Sequence, residues 1–268
     1  MSAGTLVNGL PGDSVSAADR GLHYGDGLFE TIACRGGRPR WLALHLERLQ
    51  RGCARLGIAA PPAAVIGQEI DTLAADHAAC IVKLILTRGV ARGRGYRPAG
   101  DEQPTRVLSR HPWPGSPAAW RLGLSPVRLG ENPSLAGLKH LNRLEQVLAQ
   151  RERAPELDEV VMQSHSGAVI SGSMSNLFLV EGEQLVTPAL DRCGVEGVMR
   201  RLVLETAPAA GWRVAIEAVN VARLRAAAGL FATNVRLGVQ AVARFEDRAY
   251  AADARLARLQ ELVDARAG

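Results

Sequence analysis

The segment 111–117, HPWPGSP, constrains this chain more than any other stretch. Its three prolines fix φ and remove backbone donors, so neither a helix nor an inner strand runs through it. A linker is expected there, with an N-terminal domain over 1–110 and a C-terminal domain over 118–268. A chain of 268 residues that is 47% hydrophobic has room for one large core or two modest ones, and is not a disordered polymer. No apolar run approaches the roughly 18 residues of a membrane-spanning helix. The start, Met1-Ser2-Ala3-Gly4, lacks a basic stretch followed by an apolar one, so no secretory leader is expected.

Strand and helix signals interleave on both sides of the linker. Before it, 28–34 (LFETIAC) reads as a strand entered through the turn Tyr24-Gly25-Asp26-Gly27. Leu42, Leu46, Leu49, Cys53 and Leu56 recur at helical spacing, and Gly57 and Pro61 end that helix. A second helix is expected over 63–75, a buried strand over 80–87 (CIVKLILT) and an Arg- and Gly-rich loop over 89–100. After the linker, strands are expected near 121–129, 159–163, 176–180, 214–217 and 229–233, with helices near 139–153, 195–207 and 251–265. The fold class is therefore α/β or α+β.

The net charge of +5 does not mark a nucleic-acid protein. Its 32 basic residues are interleaved with 27 acidic ones, and aromatics make up only 4%. The four cysteines, Cys34, Cys53, Cys80 and Cys193, form no CxxC pair, which predicts no metal site and reduced thiols in a cytoplasm. The composition of the basic residues is more informative: only Lys83 and Lys139 are lysine, and thirty are arginine. Lys83 sits in an apolar strand, where a lysine ordinarily faces solvent or snorkels. Lys139 follows the loop 132–138 and precedes LNRLEQVLAQ. A surface lysine should have drifted to arginine in this chain. A lysine that remains suits chemistry a guanidinium cannot do, namely losing a proton and attacking a carbonyl. A Schiff base with pyridoxal phosphate is the most usual form of that chemistry.

Such a site also needs a phosphate cup and groups that hold the ring. Arg48 in HLERL offers fork geometry for phosphate. The loop 191–199, DRCGVEGVM, leads into a helix whose free N–H groups suit an anion, and Thr233-Asn234-Val235 follows a strand. Each of these alone equally describes an ordinary surface Arg or a plain turn.

Together, in order, they resemble a known family. LAGLKHLNRLEQVL (135–148) is similar to the lysine segment of the 4-amino-4-deoxychorismate lyases, within the fold type IV pyridoxal-phosphate enzymes. Asp19-Arg20-Gly21, YGDGLFET (24–31), His45-x-x-Arg48-Leu49, Thr87-Arg88-Gly89 running to Arg94-Gly95-Tyr96, SPVRL (125–129), SNLF (175–178) and Thr187-Pro188 extend the resemblance from about Asn8 to Gly238. It implies two α/β domains with the cofactor between them, in a homodimer. It also implies that Lys139 forms the Schiff base and shuttles protons, and that Arg48 holds the phosphate. Val198 and Met199 would offer backbone N–H groups to it, Val195 would press on the ring, and Asn234 and Val235 would close the cup. Arg94, with His23 and Arg236, would meet the two carboxylates of the substrate.

One position departs from the pattern. Where the fold group carries a Glu that pairs with the pyridine nitrogen, this chain has Ser171, a neutral hydrogen-bonding residue. An unprotonated ring is a shallower electron sink. Elimination tolerates this because the leaving group drains the carbanion, whereas transamination suffers. The implied reaction is conversion of 4-amino-4-deoxychorismate to 4-aminobenzoate and pyruvate. The alternatives are a D-amino acid or branched-chain aminotransferase, and a non-catalytic or repurposed pyridoxal-phosphate-binding relative.

Overall fold

The protein is described here from a computed structural model covering residues 4–113, 115, 117–251 and 253–267. Two compact units emerge. The first comprises residues up to 114 together with Leu138–Asn142; the second comprises Gly115–Gly137 and Arg143–Gly268.

The first unit opens with β1 (Thr5–Val7), β2 (Leu10–Pro11) and the short helix α1 (Arg20–Tyr24). Then follow β3 (Gly27–Arg35), β4 (Arg38–Pro39), α2 (Leu42–Leu56), α3 (Ala63–Ala74), β5 (Ala79–Thr87) and β6 (Thr105–Pro112). The strands form one sheet in the order β2-β1-β6-β5-β3-β4, every neighbouring pair antiparallel. Leu28, Ile32 and Cys34 of β3 share a core with Val82, Leu84 and Leu86 of β5 and with Leu49, Cys53, Ile66 and Ile70 of the two helices. That follows from two periodicities: alternate residues of a strand share a face, and residues three or four apart share a helix face. The helix α2 lies so close to the sheet that a Cβ at Gly52 would come within 2.7 Å of Leu28. Any larger residue there would force the buried Leu28 side chain to shift.

The second unit runs β7 (Trp120–Leu129), α4 (Leu144–Glu152), β8 (Glu159–Ser164), β9 (Val169–Gly172), β10 (Asn176–Glu181) and β11 (Gln184–Pro188). It continues with α5 (Val198–Thr206), a 3₁₀ turn at Ala207–Ala210, β12 (Arg213–Glu217), α6 (Val221–Ala226), β13 (Gly229–Asn234), β14 (Gly238–Phe245), β15 (Arg248–Ala249) and α7 (Arg255–Asp264). Its strands join in the order β12-β11-β10-β13-β14-β7-β8-β9, with β15 on β14. The sheet is mixed: β11–β12, β14–β7 and β7–β8 are parallel pairs. Every residue of β8 is buried, as are all but the last of β10, so the core lies on both faces here.

Three expectations change. The helix expected from 139 begins at Leu144, because residues 139–141 are extended alongside β3. The Phe29 N–H donates to the Lys139 carbonyl (2.9 Å) and the Leu141 N–H to the Gly27 carbonyl (3.0 Å). Lys139 therefore clusters with the first unit, as part of the five-residue segment Leu138–Asn142. Residues 111 and 112 of the expected linker finish β6, where a terminal proline costs no ladder bond; Pro114 and Ser116 of that linker lie outside the described residues. Among the described residues, no helix is long and apolar enough to cross a membrane.

Candidate active site

In β3 the inward positions run Leu28, Glu30, Ile32, Cys34, so a carboxylate interrupts an apolar row and is 1% exposed. Its partners come from α2, where His45 and Arg48 lie three apart on the buried face. The Arg48 Nε donates to Glu30 Oε1 at 2.7 Å and its Nη2 donates to Oε2. His45 Nδ1 lies 2.7 Å from Oε2. Burial alone would push the Glu30 carboxyl up; Arg48 and His45 outweigh it and hold it at about 2. Burial is also the largest influence on His45 and lowers it, with Arg48 and Lys139 adding to the effect against the pull of Glu30. His45 is thus neutral, donating from Nδ1. Its Nε2 is buried with no partner among the described residues.

Lys139 reaches the same region from its pairing with β3. Its Nζ lies 4.2 Å from the centre of the Phe29 ring, in cation–π range. The Nζ of Lys83 lies 5.7 Å from that same ring, so the two lysines share one aromatic neighbour. Among the substrate candidates of this unit, Arg94 is on an exposed loop. His23 is exposed on α1, with Nε2 2.7 Å from the Ala17 carbonyl oxygen. Neither is brought into the Glu30–His45–Arg48 cluster by any described bond.

The second unit gathers the other candidates around Asn176. This residue is the cross-strand partner of Thr233, and its Nδ2 donates to the Val195 carbonyl at 2.9 Å. A Cβ at Gly197 would strike Asn176 Oδ1 at 2.1 Å, so the chain passes close by before α5 starts. α5 begins at Val198 with no side-chain cap, which leaves its first N–H groups for something else; Val198 and Met199 are themselves buried. The Thr233 hydroxyl is buried without a partner among the described residues. Asn234 Oδ1 accepts from the N–H groups of Arg236 (3.1 Å) and Leu237 (3.0 Å), so its side chain shapes the turn that carries Val235. Arg236 Nη1 donates to the Gly115 carbonyl at 3.2 Å. Ser171, at the end of β9, is buried and donates to the Gly172 carbonyl at 2.7 Å. The turn after it is fixed by the fully buried Glu159, which accepts from Ser173 Oγ (2.6 Å) and the Met174 N–H (3.0 Å). An uncapped helix start beside an orphaned hydroxyl fits a phosphate group, as pyridoxal phosphate carries.

The sequence profile of the class IV aminotransferases matches residues 27–245. The chain belongs to this family. It is 38% identical to the aminodeoxychorismate lyase of Vibrio harveyi over 243 residues, 88% of this chain and 89% of that protein. It is also similar to the crystal structure of 4-amino-4-deoxychorismate lyase from Pseudomonas aeruginosa, with 42% identity, a TM-score of 0.91, and 97% and 98% of the two chains covered. A hypothetical aminotransferase from Mycobacterium tuberculosis, solved in a PLP-bound form, shares the fold at 22% identity and a TM-score of 0.84, covering 99% of each chain. The architecture is fold type IV. Within it, Phe29, Glu30, His45 and Asn176 were not singled out as site residues by the sequence. The available signals were a carboxylate at an inward strand position and a His and an Arg at helical spacing.

Proposed function

We propose that this class IV protein is an aminodeoxychorismate lyase, cleaving 4-amino-4-deoxychorismate to 4-aminobenzoate and pyruvate with pyridoxal phosphate. The supporting observation is the placement of Lys139, one of only two lysines, on the Phe29 ring next to a buried Glu30–His45–Arg48 cluster, in a chain 42% identical to a lyase over nearly its whole length. When bound, pyridoxal phosphate supplies a ring that withdraws electrons from a carbon bearing the attached amine.

In this reading Lys139 anchors the cofactor. With the cofactor bound, the Lys139 Nζ would serve as the general base for the C4 proton of the substrate. The C4–H electrons become a ring π-bond as the C3–O bond breaks, and the enolpyruvyl oxygen takes the proton back from Nζ and leaves as the enol of pyruvate. Because the ring turns aromatic, the protein's task is placement of one base and exclusion of alternatives. Arg48, oriented by Glu30, holds the phosphate with the N–H groups of Val198 and Met199, the Thr233 hydroxyl, Asn234 and Val235. Val195 would pack on the cofactor ring. Ser171 is neutral and carries no carboxylate to keep a proton on the ring nitrogen, which favours elimination over transamination. Arg94, His23 and Arg236 are assigned to the substrate carboxylates. The four cysteines are free and buried, which fits a cytoplasmic enzyme. Leu144, Val147 and Leu148 leave an apolar stripe exposed on α4, which supports a homodimer.

The test is direct. The purified protein should show a cofactor absorbance band that borohydride shifts, with the label mapping to Lys139. It should release 4-aminobenzoate and pyruvate in equal amounts. Amino-acid-dependent conversion of the cofactor without pyruvate release would assign it as an aminotransferase; tight cofactor binding with neither activity would mark a non-catalytic relative.

A further inference from the structure

The exposed loop 92–100 is held from below by one buried side chain. Arg20 is 4% exposed, and its guanidinium makes three separate attachments. Nε donates to Asp26 Oδ2 (2.8 Å), Nη1 to the Gly95 carbonyl (3.3 Å) and Nη2 to the Tyr96 carbonyl (2.7 Å). The guanidinium also lies 4.9 Å from the Tyr24 ring centre, and that ring sits 5.4 Å from the ring of Tyr96. Asp26 is itself fixed by Arg88, which donates from Nε (2.7 Å) and Nη2 (3.1 Å) and anchors to the Leu56 and Gly57 carbonyls at the end of α2.

The rest of the loop has little else to define it. A Cβ at Gly93, Gly95 or Gly100 would meet nothing within 4 Å, and Tyr96 is 84% exposed. Local bonds close the loop on itself: Glu102 accepts from Ala99 and Gly100 N–H groups, and Arg92 pairs with Asp101. None of these reaches the body of the unit. The tie from Arg20 lands on the two residues directly after Arg94. It starts from the segment next to Gly27, whose carbonyl accepts from Leu141 two residues past Lys139. A rigid, charged fork is the group that can hold two successive carbonyls and a carboxylate at once; an ammonium cannot reproduce it.

We propose that Arg20 is a positioning residue for substrate recognition, clasping the 92–100 loop so that Arg94 is held ready for a carboxylate of a ring dicarboxylate. This rests on the lyase reading for the identity of the ligand and on geometry alone for the clasp. Arg20 touches no reacting atom in this assignment, so its loss acts on binding and leaves the chemical step in place.

The experiment uses the holoenzyme and Arg20→Lys. Trypsin cutting after Arg92 and Arg94 should speed up about tenfold, and KM for 4-amino-4-deoxychorismate should rise about tenfold, the effect of one lost charge-assisted hydrogen bond. The kcat should stay within about threefold, with the cofactor spectrum and melting temperature unchanged. Arg94→Ala should raise KM similarly while leaving cutting after Arg92 as in wild type, which separates the head group from its clasp. Chorismate, with the same two carboxylates and a hydroxyl for the amine, should protect the wild-type loop from trypsin and protect Arg20→Lys less. An unchanged cutting rate in Arg20→Lys overturns the clasp; faster cutting with KM unmoved overturns its role in recognition. If the wild type releases no 4-aminobenzoate, the lyase reading fails by itself, and chorismate protection still decides the inference, absence of protection overturning it. If Arg20→Lys does not fold, Asp26→Asn loosens the same clasp from its other end and is read by the same measurements.

Discussion

The two units build their polar regions from opposite materials. In the first, full charges are set into a sheet–helix layer: Glu30, Arg48 and the ammonium of Lys139 lie among Leu28, Leu49 and Phe29. Around Asn176 in the second, the polar groups are neutral: a hydroxyl, amides and the start of a helix; its buried charges lie outside that group, Glu159 on Ser173 and Met174 and Arg200 on Thr187 and Pro188. A buried charge is tolerated only while its partner is present, because removing the partner leaves the whole desolvation cost uncompensated. A cup made of backbone N–H groups has no such dependence, since no side-chain substitution removes a peptide dipole. The first region should therefore be brittle to single substitutions and the second forgiving.

The largest expected effect tests the brittle side. Lys139→Ala should abolish borohydride-fixed cofactor and cut turnover by at least ~10³-fold, as for loss of a positioned base. A variant that still carries covalent cofactor would move the anchor elsewhere. Next, Glu30→Ala should destabilise the apoprotein by ~3–5 kcal/mol in urea unfolding, because Arg48 is left buried without its carboxylate. A loss below about 1 kcal/mol would show that the cluster is not coupled as its geometry implies.

Acid should expose the same contrast. Glu30 is held at about 2 against an ordinary value of 4.5, so its ionised form is favoured by folding. Its contribution is present above the ordinary value and drains away as pH falls from there through about 2. Over that window the wild type should lose more stability than Glu30→Gln, measured as the shift in urea midpoint. Parallel curves would remove Glu30 as the cause.

The forgiving side predicts smaller numbers. Thr233→Val should leave apoprotein stability within ~1 kcal/mol, since the hydroxyl it removes has no partner among the described residues, yet weaken cofactor binding several-fold, about the worth of one hydrogen bond. Fluorescence titration of the apoprotein reads this. Met199→Leu should be the mildest, costing less than ~1.5 kcal/mol with cofactor affinity unchanged, because the helix start offers its N–H whatever the side chain. A large loss of affinity there would mean that the side chain itself matters.

Much of this was legible along the chain. The helix α2 was readable to the residue from Leu42 to Leu56, and β3 and β5 to within one residue, because each carries a clean periodicity with punctuating glycine or proline. β6 was missed for a physical reason. In TRVLSRHP, Arg106 and Arg110 break the apolar pattern, and Arg106 is satisfied by Glu69 of α3, a partner far away in sequence. The short strands β1, β2, β4 and β15 are two or three residues long and depend on the neighbours they pair with. α1 went unread apart from its last residue, Tyr24, which opens the expected turn; Asp19 caps it by accepting from the Gly21 N–H.

The site divides in the same way. The sequence by itself determined which residue is chemically exceptional: a lysine left in an arginine-rich chain, inside a segment resembling the lyases. Composition and motif order suffice for that, because they need no coordinates. Tertiary structure decided what surrounds it. Residues 139–141 run along β3 in place of the expected helix, because the edge of β3 next to Gly27 and Phe29 offers backbone partners that a helix start would not. Phe29 thereby comes under Lys139, and Glu30, an acidic letter among apolar ones in the sequence, becomes the centre of a buried ion cluster. A side chain's charge is written in the chain; whether that charge is buried, and what neutralises it, depends on residues that only folding brings near.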